Sequence, residues 1–245
     1  MIIGKTVKRL DETISTNDFL GQLIKKDPME EGLVVCANSQ TGGRGEGGSS
    51  WESEMGKNLI ISILLTPAFL NPNRQFTLLK AIALGVKDFV SLYTETVFVK
   101  WPNDIYTGTD KIAGILIENS FIGSHFENSL VGIGLNVNQV HFSKNIPNPV
   151  SLKLLLEKNL NLDECLALLC NALDARYLML REEKYAKLDE DYHNSLYKKE
   201  QKTFFQTQAG SFEATIVGVE ESGKLILLLK DKTLKSFDFK EIEYR

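Results

Sequence analysis

The sequence has few of the residues that define several common protein classes. It contains only three cysteines among 245 residues, Cys36, Cys165 and Cys170, and no C-x-x-C pair. An odd number at these spacings fits buried, reduced thiols better than a disulfide framework or a zinc site. The three histidines form no H-E-x-x-H or H-x-x-x-H pattern, so we expect no dedicated transition-metal centre.

The sequence also has no excess of positive charge and no long apolar run. Lys and Arg number 28 against 32 Asp and Glu, and the net charge of -4 argues against non-specific binding to nucleic acid or to a membrane. The longest strongly apolar run, 59–65, is interrupted by Ser62 and is far shorter than the roughly 20 residues that span a bilayer. Lys5 comes too early to leave room for the apolar core of a secretion signal. We therefore expect a cytoplasmic protein that binds neither DNA nor a membrane.

Apolar periodicity predicts a domain that mixes helices and strands. Helices are expected near residues 17–26 and 74–93, and a third long helix is expected to begin at Asp163 as its N-cap. Short apolar runs rich in Ile, Leu and Val predict the strands. They span 33–37, 58–65, 97–101, 112–118 and 129–137, and the last two form a hairpin. We expect these strands to form one mixed sheet.

A charged stretch at 197–202 separates this domain from a shorter C-terminal segment. Three short strands are predicted after it, at 212–219, 225–229 and 234–239. About 45 residues of strands form at most a small barrel, which would be marginally stable alone. We therefore expect a small C-terminal domain that docks on the larger one.

The most informative stretch is glycine-rich and lies between two predicted strands. Five of the ten residues from Thr41 to Ser50 are glycine. Glycines permit positive φ and let backbone N–H groups approach a ligand, so the stretch can fold over an anion or a small molecule. A flexible hairpin loop is the equal alternative. The P-loop pattern fails because no Lys follows the last glycine, and G-x-G-x-x-G fails because no strand-to-helix turn is predicted here.

A second group of polar residues follows the strand predicted at 97–101. Pro102 ends this strand and Asn103 and Asp104 start a turn, which by itself predicts only a strand corner with its lysines in solvent. The alternative is that Lys111, at the start of a buried strand, holds a phosphate or a carboxylate in a cleft. The residues alone leave both alternatives open.

Five stretches occur together and in order, at 15–17, 40–51, 100–104, 111–118 and 132–138. They closely resemble the motifs of the biotin protein ligases, also called biotin–[acetyl-CoA-carboxylase] ligases, and the C-terminal strands resemble the SH3-like domain of that family. The resemblance implies an α+β mixed sheet with helices, shared with class II aminoacyl-tRNA synthetases and lipoate ligases. It also implies a catalytic domain over 1–198 and a small SH3-like β-barrel over 199–245.

The resemblance further implies a two-step reaction. Biotin and MgATP form biotinyl-5′-AMP and pyrophosphate, and a lysine of a biotin carboxyl carrier domain then takes the biotinyl group. Because a carboxylate must attack a phosphate, the reaction needs cations and a site closed to water. The implied catalytic residues are Lys111, Arg44 and Asp104, with Asp104 positioning the acceptor lysine or the metal.

The implied binding residues divide between the two substrates. Biotin would meet Ser15, Thr16, Asn17, Gln40, Gly43, Arg44, Gly45, Glu46, Lys111, Gly114 and Ile115. ATP would meet Arg44, Trp51, Lys111, Asn136 and Arg245, and Mg²⁺ would enter with ATP near Asn136 rather than in a protein cage. A plain helix cap is the simpler alternative for residues 15–17, and solvent exposure is the simpler alternative for Arg245.

The sequence also departs from the family pattern. Arg44 is the one basic residue of its glycine-rich stretch, where many relatives carry several, and this predicts weaker retention of the adenylate. The chain begins at the catalytic block, so we expect a monofunctional enzyme without an N-terminal DNA-binding domain. A lipoate or octanoate ligase or transferase and a non-enzymatic sensor of biotin or adenylate are the alternatives. Both a monomer and a homodimer are compatible with the sequence.

Overall fold

The computed structural model describes residues 1–245, which form twelve strands, five helices and two sheets. The first sheet contains β1 (Val7–Thr13), β2 (Val34–Gln40), β3 (Leu59–Leu65), β4 (Val97–Lys100), β5 (Asp104–Thr107), β6 (Asp110–Ile122) and β7 (His125–Leu135). The helices are α1 (Thr16–Lys26), α2 (Gln75–Val90), α3 (Leu152–Leu156), α4 (Leu162–Arg181) and α5 (Tyr185–Asn194). The second sheet contains β8 (Lys202–Thr207), β9 (Gly210–Val219), β10 (Leu225–Leu229), β11 (Leu234–Phe237) and β12 (Glu243–Tyr244).

The first sheet is mixed, as predicted. Its strand order is β1-β2-β3-β7-β6-β5-β4, in which β1 and β2 are parallel and the other neighbours are antiparallel. Every residue of the interior strand β3 is buried, because helices cover both faces of the sheet and a largely apolar run suits such a position. The predicted hairpin is the long pair β6 and β7.

Alternating residues of the strands enter two separate apolar clusters. Val34 and Cys36 of β2 belong to the main core with α2 and α4, whereas Val35 packs with Leu20 of α1 on the opposite face.

All three cysteines are buried and unpaired. No helix is both long enough and apolar enough to cross a membrane.

The N-cap predicted for the third long helix, now α4, is wrong. The side chain of Asn161, not of Asp163, accepts hydrogen bonds from the first backbone N–H groups of α4, at 2.8 and 3.1 Å. Asp163 lies in the first turn, where a negative charge suits the helix dipole, and its carboxylate pairs with Arg9 at 2.7 Å. The helix therefore begins before the predicted residue.

The second sheet confirms the expected small C-terminal β domain. Its five strands are antiparallel, in the order β11-β10-β9-β8-β12. Trp101, just after β4, donates its indole N–H to the carbonyl of Gly223 at 2.8 Å and packs edge-on against Phe239. The second sheet therefore lies beside the β4 edge of the first. The boundary at residues 198 and 199 stays a prediction.

Two glycines inside helices predict opposite effects of one substitution. A Cβ at Gly85 of α2 would lie 2.9 Å from Cα and Cδ2 of Leu173 in α4, so Gly85→Ala should lower the free energy of unfolding by about 1–3 kcal/mol. A Cβ at Gly21 of α1 would meet only Cδ1 of Leu130, at 3.3 Å. Gly21→Ala should be neutral or stabilising, by up to about 1 kcal/mol, through helix propensity. Urea unfolding followed by circular dichroism measures both, and equal effects would contradict the close approach of α2 and α4.

Candidate active site

Two glycines face each other at the centre of the first sheet. Gly114 of β6 pairs in register with Gly134 of β7. The same row of residues continues to Ile60 of β3 on one side, and to Asp104 of β5 and Lys100 of β4 on the other. Residues paired across neighbouring strands lie on the same face of a sheet. We call this row of five residues the glycine row.

The indole of Trp51 packs directly on the two glycines. A Cβ at Gly134 would overlap the ring, and a Cβ at Gly114 would lie 3.2 Å from its Cζ3. The Trp51 backbone N–H donates to the carbonyl of Gly43 at 2.9 Å, which fixes the end of the glycine-rich loop (residues 41–50) on the sheet. The indole N–H is buried and has no hydrogen-bond partner, so it remains available to a ligand.

A cavity of about 390 Å³ lies between the glycine row, the glycine-rich loop, α1 and the second sheet. This volume falls in the range of small-molecule sites. The lining brings together twelve residues that the sequence predicted as site residues. They are Ser15, Thr16, Asn17, Gln40, Arg44, Gly45, Glu46, Trp51, Asp104, Lys111, Gly114 and Ile115.

The first residues of α1 form the polar end of the cavity. Ser15 is the N-cap and accepts from the backbone N–H of Asp18, so the interpretation as a helix cap holds for this residue. Thr16 donates its backbone N–H and its hydroxyl to Oε1 of Gln40, at 2.7 and 3.0 Å. Asn17 donates its amide to Glu118 at 2.8 Å. The side chains of Thr16 and Asn17 are therefore held in place at the cavity lining.

Ser62 supports this polar end, and the sequence analysis did not identify it as a site residue. Its side chain is fully buried in β3. Its hydroxyl lies 2.8 Å from Oγ1 of Thr16 and 2.5 Å from Oδ1 of Asn17. The sequence did carry a signal for Ser62, because a lone hydroxyl in a run of seven buried strand residues needs a hydrogen-bond partner.

A strand irregularity brings Lys111 into the cavity. Lys111 is three residues before Gly114, so regular alternation would place the two on opposite faces of the sheet. However, the pairing of β5 with β6 shifts register between Ile105 and Tyr106 of β5. Such a bulge changes the direction in which a side chain points. The Lys111 ammonium therefore reaches Oδ1 of Asp104, at 2.7 Å, with both side chains about one quarter exposed.

Arg44 holds the glycine-rich loop against α1 and β6. Its guanidinium pairs with Asp18 at 2.6 Å and with Glu118 at 3.2 Å. Because Glu118 also accepts from Asn17, one carboxylate connects the loop to the polar end of the cavity. Burial raises the pKa of Glu46 in the same loop.

Lys100 lies at the far end of the glycine row and also lines the cavity. Its ammonium donates to the hydroxyl of Tyr106 at 3.1 Å, and it lies 4.8 and 5.1 Å from the ring centroids of Tyr106 and Tyr244. Burial lowers the pKa of Lys100. The interpretation that placed the lysines of this corner in solvent therefore does not hold for Lys100 or for Lys111.

Three predicted site residues do not line the cavity. Asn136 is buried and donates its amide to the carbonyl of Val150 at 3.0 Å, while its Oδ1 has no partner. Arg245 is exposed, and its backbone N–H donates to β8. Gly43 lies behind the lining, where an added Cβ would approach Nε2 of Gln40 to 2.9 Å. Ligand contacts for these residues stay predictions.

Comparison with known sequences identifies the family. A model of the Biotin/lipoate A/B protein ligase family matches residues 10–136, just over half of the chain. The chain therefore belongs to the Biotin/lipoate A/B protein ligase family.

Two curated relatives illustrate the similarity. The Bifunctional ligase/repressor BirA of Bacillus subtilis is 38% identical over 131 residues, which is 52% of this chain and 39% of that protein. The human Biotin--protein ligase is 35% identical over 141 residues, which is 55% of this chain and 19% of that protein. The chain thus matches about two fifths or less of the length of these relatives.

Solved structures extend the similarity to nearly the whole chain. The biotin protein ligase from Aquifex aeolicus in complex with biotin and ATP superposes with a TM-score of 0.82 at 25% identity, covering 98% of this chain and 99% of that one. The Leishmania major enzyme in complex with biotin gives a TM-score of 0.66 at 21% identity, covering 96% and 99%. The expected biotin protein ligase fold is therefore confirmed.

Two substitutions on the glycine row test the packing of Trp51. Gly134→Ala should displace the indole into the cavity, because the added methyl group overlaps the ring, whereas Gly114→Ala needs a shift of only a few tenths of an ångström. With Trp101→Phe as background, Trp51 is the one remaining tryptophan. Iodide quenching of its fluorescence should rise strongly in Gly134→Ala and slightly in Gly114→Ala. Equal quenching in all three proteins would rule out the packing.

Proposed function

We propose that the protein activates biotin with ATP, forming biotinyl-5′-AMP and pyrophosphate, and transfers the biotinyl group to a lysine of a biotin carboxyl carrier domain in the cytoplasm. One observation carries the proposal: a single cavity joins a hydrogen-bonding end at α1 to Arg44 and Lys111. The relatives named biotin–protein ligases and the Aquifex aeolicus structure with biotin and ATP support it.

The first step brings two negatively charged groups together. A carboxylate oxygen of biotin attacks the α-phosphorus of ATP, a new P–O bond forms, and the bond to pyrophosphate breaks. Lys111 and Arg44 line the cavity and reduce the repulsion between the carboxylate and the phosphate. Asp104 holds the Lys111 ammonium at 2.7 Å, so its position is set before a ligand binds.

The polar end of the cavity favours biotin over lipoate. The ureido group of biotin has a carbonyl and two N–H groups, which need partners once buried. Thr16, Asn17 and Gln40 are buried or half-buried here and carry both donors and acceptors. The dithiolane ring of lipoate would leave the spare donors of this end, such as the amide N–H groups of Gln40, without a partner, at a cost of about 1–3 kcal/mol for each buried group. We therefore favour biotin over the lipoate and octanoate alternatives.

The second step needs a deprotonated acceptor lysine. Its ammonium first loses a proton to solvent. The free amine then attacks the carbonyl carbon of biotinyl-5′-AMP, an amide bond forms with release of a second proton to solvent, and AMP leaves with the electron pair of the broken C–O bond. Asp104 lines the cavity and its carboxylate is about one quarter exposed. We assign Asp104 the positioning of the acceptor ammonium, because a carboxylate attracts this cation to the reacting carbonyl.

Mg²⁺ would supply charge neutralisation on the phosphates of bound ATP. No group of three His, Cys, Asp or Glu residues lies close enough to hold a metal ion. Asn136 has a buried oxygen without a partner, but the residue does not line the cavity. The residues present therefore fit a metal held mainly by the nucleotide, with Asp104 as one carboxylate of the lining.

Exchange of labelled pyrophosphate into ATP tests the activation step. The wild-type protein should show exchange with biotin and none with lipoate or without an acid. Lys111→Ala should lower the exchange rate about 100- to 1,000-fold, because a cation at the reacting phosphate contributes on the order of 3–4 kcal/mol to the transition state. Lys158→Ala, an exposed lysine beyond α3, is the matched control and should exchange at the wild-type rate.

The outcomes of this assay separate the alternatives. Exchange with lipoate but not with biotin would show that lipoate is the substrate. Measurable biotin binding without exchange would favour the non-enzymatic sensor. Near-normal exchange by Lys111→Ala would remove this residue from the mechanism.

Two buried serines give a matched test of the polar end. Ser62→Ala removes the hydroxyl that holds Thr16 and Asn17, so the Kd for biotin should rise about 3- to 10-fold, as expected for the loss of one neutral hydrogen bond. Ser129 of β7 is equally buried, but its hydroxyl has no partner, so Ser129→Ala should leave the Kd unchanged. Isothermal titration calorimetry measures both. Equal effects would show that Ser62 does not position the biotin-binding residues.

A further inference from the structure

We propose that Lys100 binds the pyrophosphate portion of ATP and stabilises it as it leaves, with the hydroxyl of Tyr244 as a further donor. This assignment rests on the proposed function and extends it to a lysine that has no assigned role. Three independent observations support it: the place of Lys100 in the glycine row, its lack of an ion pair, and an unpartnered hydroxyl beside it.

The glycine row gives the direction in which the substrates extend. The polar end of the cavity lies over β3 and β7, where Ser62 meets α1. Lys111 on β6 and Asp104 on β5 lie one and two strands beyond β7, and Lys100 lies on β4, the next strand. Neighbouring strands are about 4.8 Å apart. With the ureido group at α1 and the carboxylate at Lys111, the phosphates beyond the reacting one therefore reach Lys100.

Lys100 is the one cation of the lining without a carboxylate partner. Arg44 pairs with Asp18 and Glu118, and Lys111 pairs with Asp104. Lys100 contacts only a phenol hydroxyl and two aromatic rings. Aromatic rings attract a cation and exclude water without neutralising its charge. Burial lowers the pKa of Lys100, and this loss of water outweighs the opposing attraction of the Asp104 carboxylate, with which Lys100 forms no ion pair.

Two tyrosines lie beside the Lys100 ammonium, and one of them, Tyr244, adds an uncommitted donor to this end of the cavity. Tyr106 uses its oxygen to accept from Lys100. The hydroxyl of Tyr244 is buried and has no hydrogen-bond partner, an unusual state for a buried polar group. Tyr244 belongs to β12 and lines the cavity. The second sheet therefore completes this part of the site.

The chemistry of the leaving group matches these donors. When the α-phosphorus accepts the biotin carboxylate, its bond to the bridging oxygen breaks and the electron pair stays on pyrophosphate. Negative charge thus increases on the leaving group during the step, and a cation fixed beside it stabilises the transition state. Pyrophosphate takes no part in the transfer to the acceptor lysine, so Lys100 acts in the first step alone.

Kinetics of the separate steps test this assignment. Lys100→Met should lower biotin-dependent pyrophosphate exchange about 10- to 100-fold, the effect of one charge-assisted hydrogen bond. It should leave transfer from purified biotinyl-5′-AMP to a biotin carboxyl carrier domain unchanged. Lys100→Arg keeps the charge and should restore most of the exchange. Lys235→Met is the control, because Lys235 also lies over an aromatic ring, Phe237 at 5.0 Å, but outside the cavity.

Binding supplies a measurement that does not depend on turnover. By calorimetry, Lys100→Met should raise the Kd for inorganic pyrophosphate about 10-fold or more and leave the Kd for AMP unchanged. The melting temperature should not fall, since a desolvated charge without a partner is removed. If Lys100→Met does unfold, Lys100→Gln, which keeps a donor without the charge, should show the same selective loss.

The results separate failure of this assignment from failure of the proposed function. Equal losses in exchange and transfer, or a loss in transfer alone, would place Lys100 at the acceptor instead. Unchanged exchange and unchanged pyrophosphate binding would remove it from the site. Absence of biotin-dependent exchange in the wild-type protein would overturn the proposed function itself, whereas the pyrophosphate titration would still decide what Lys100 binds.

Discussion

The candidate site depends on the absence of two Cβ atoms at the centre of a buried sheet. Gly114 and Gly134 face each other across β6 and β7. A Cβ at Gly134 would overlap the Trp51 indole, and a Cβ at Gly114 would crowd it at 3.2 Å. The ring then forms part of the cavity lining instead of filling the cavity. Because Trp51 ends the glycine-rich loop, the same contact fixes that loop over the site. Cavity and loop therefore follow from one packing constraint.

Three cations line the cavity, and each has a different electrostatic environment. Arg44 is paired with two carboxylates, so an incoming anion must compete with them. Weaker retention of the adenylate stays a prediction. Lys111 has one carboxylate partner that orients it. Lys100 lies against two aromatic rings and forms no ion pair. Arg44, Lys111 and Lys100 follow one another in this order from α1 towards the second sheet.

Local patterns predicted much of the fold, and long-range contacts explain what they missed. The first helix, the β6–β7 hairpin and the position of the glycine-rich loop follow from periodicity and composition over short windows. Strand β1 did not, because it is mostly exposed and has no apolar alternation. The burial of Lys100 depends on Tyr244, which is far away in sequence, and the orientation of Lys111 depends on a register shift. Neither the burial of Lys100 nor the orientation of Lys111 could be predicted from residues nearby in the sequence.

The most direct test of the account is a crystal structure of the protein grown with biotin and ATP. The account predicts biotinyl-5′-AMP in the cavity, with its ureido group beside Thr16 and Asn17 and its phosphate within hydrogen-bond distance of the Lys111 ammonium. A ligand bound elsewhere, or a biotin whose ureido group points away from α1, would contradict it.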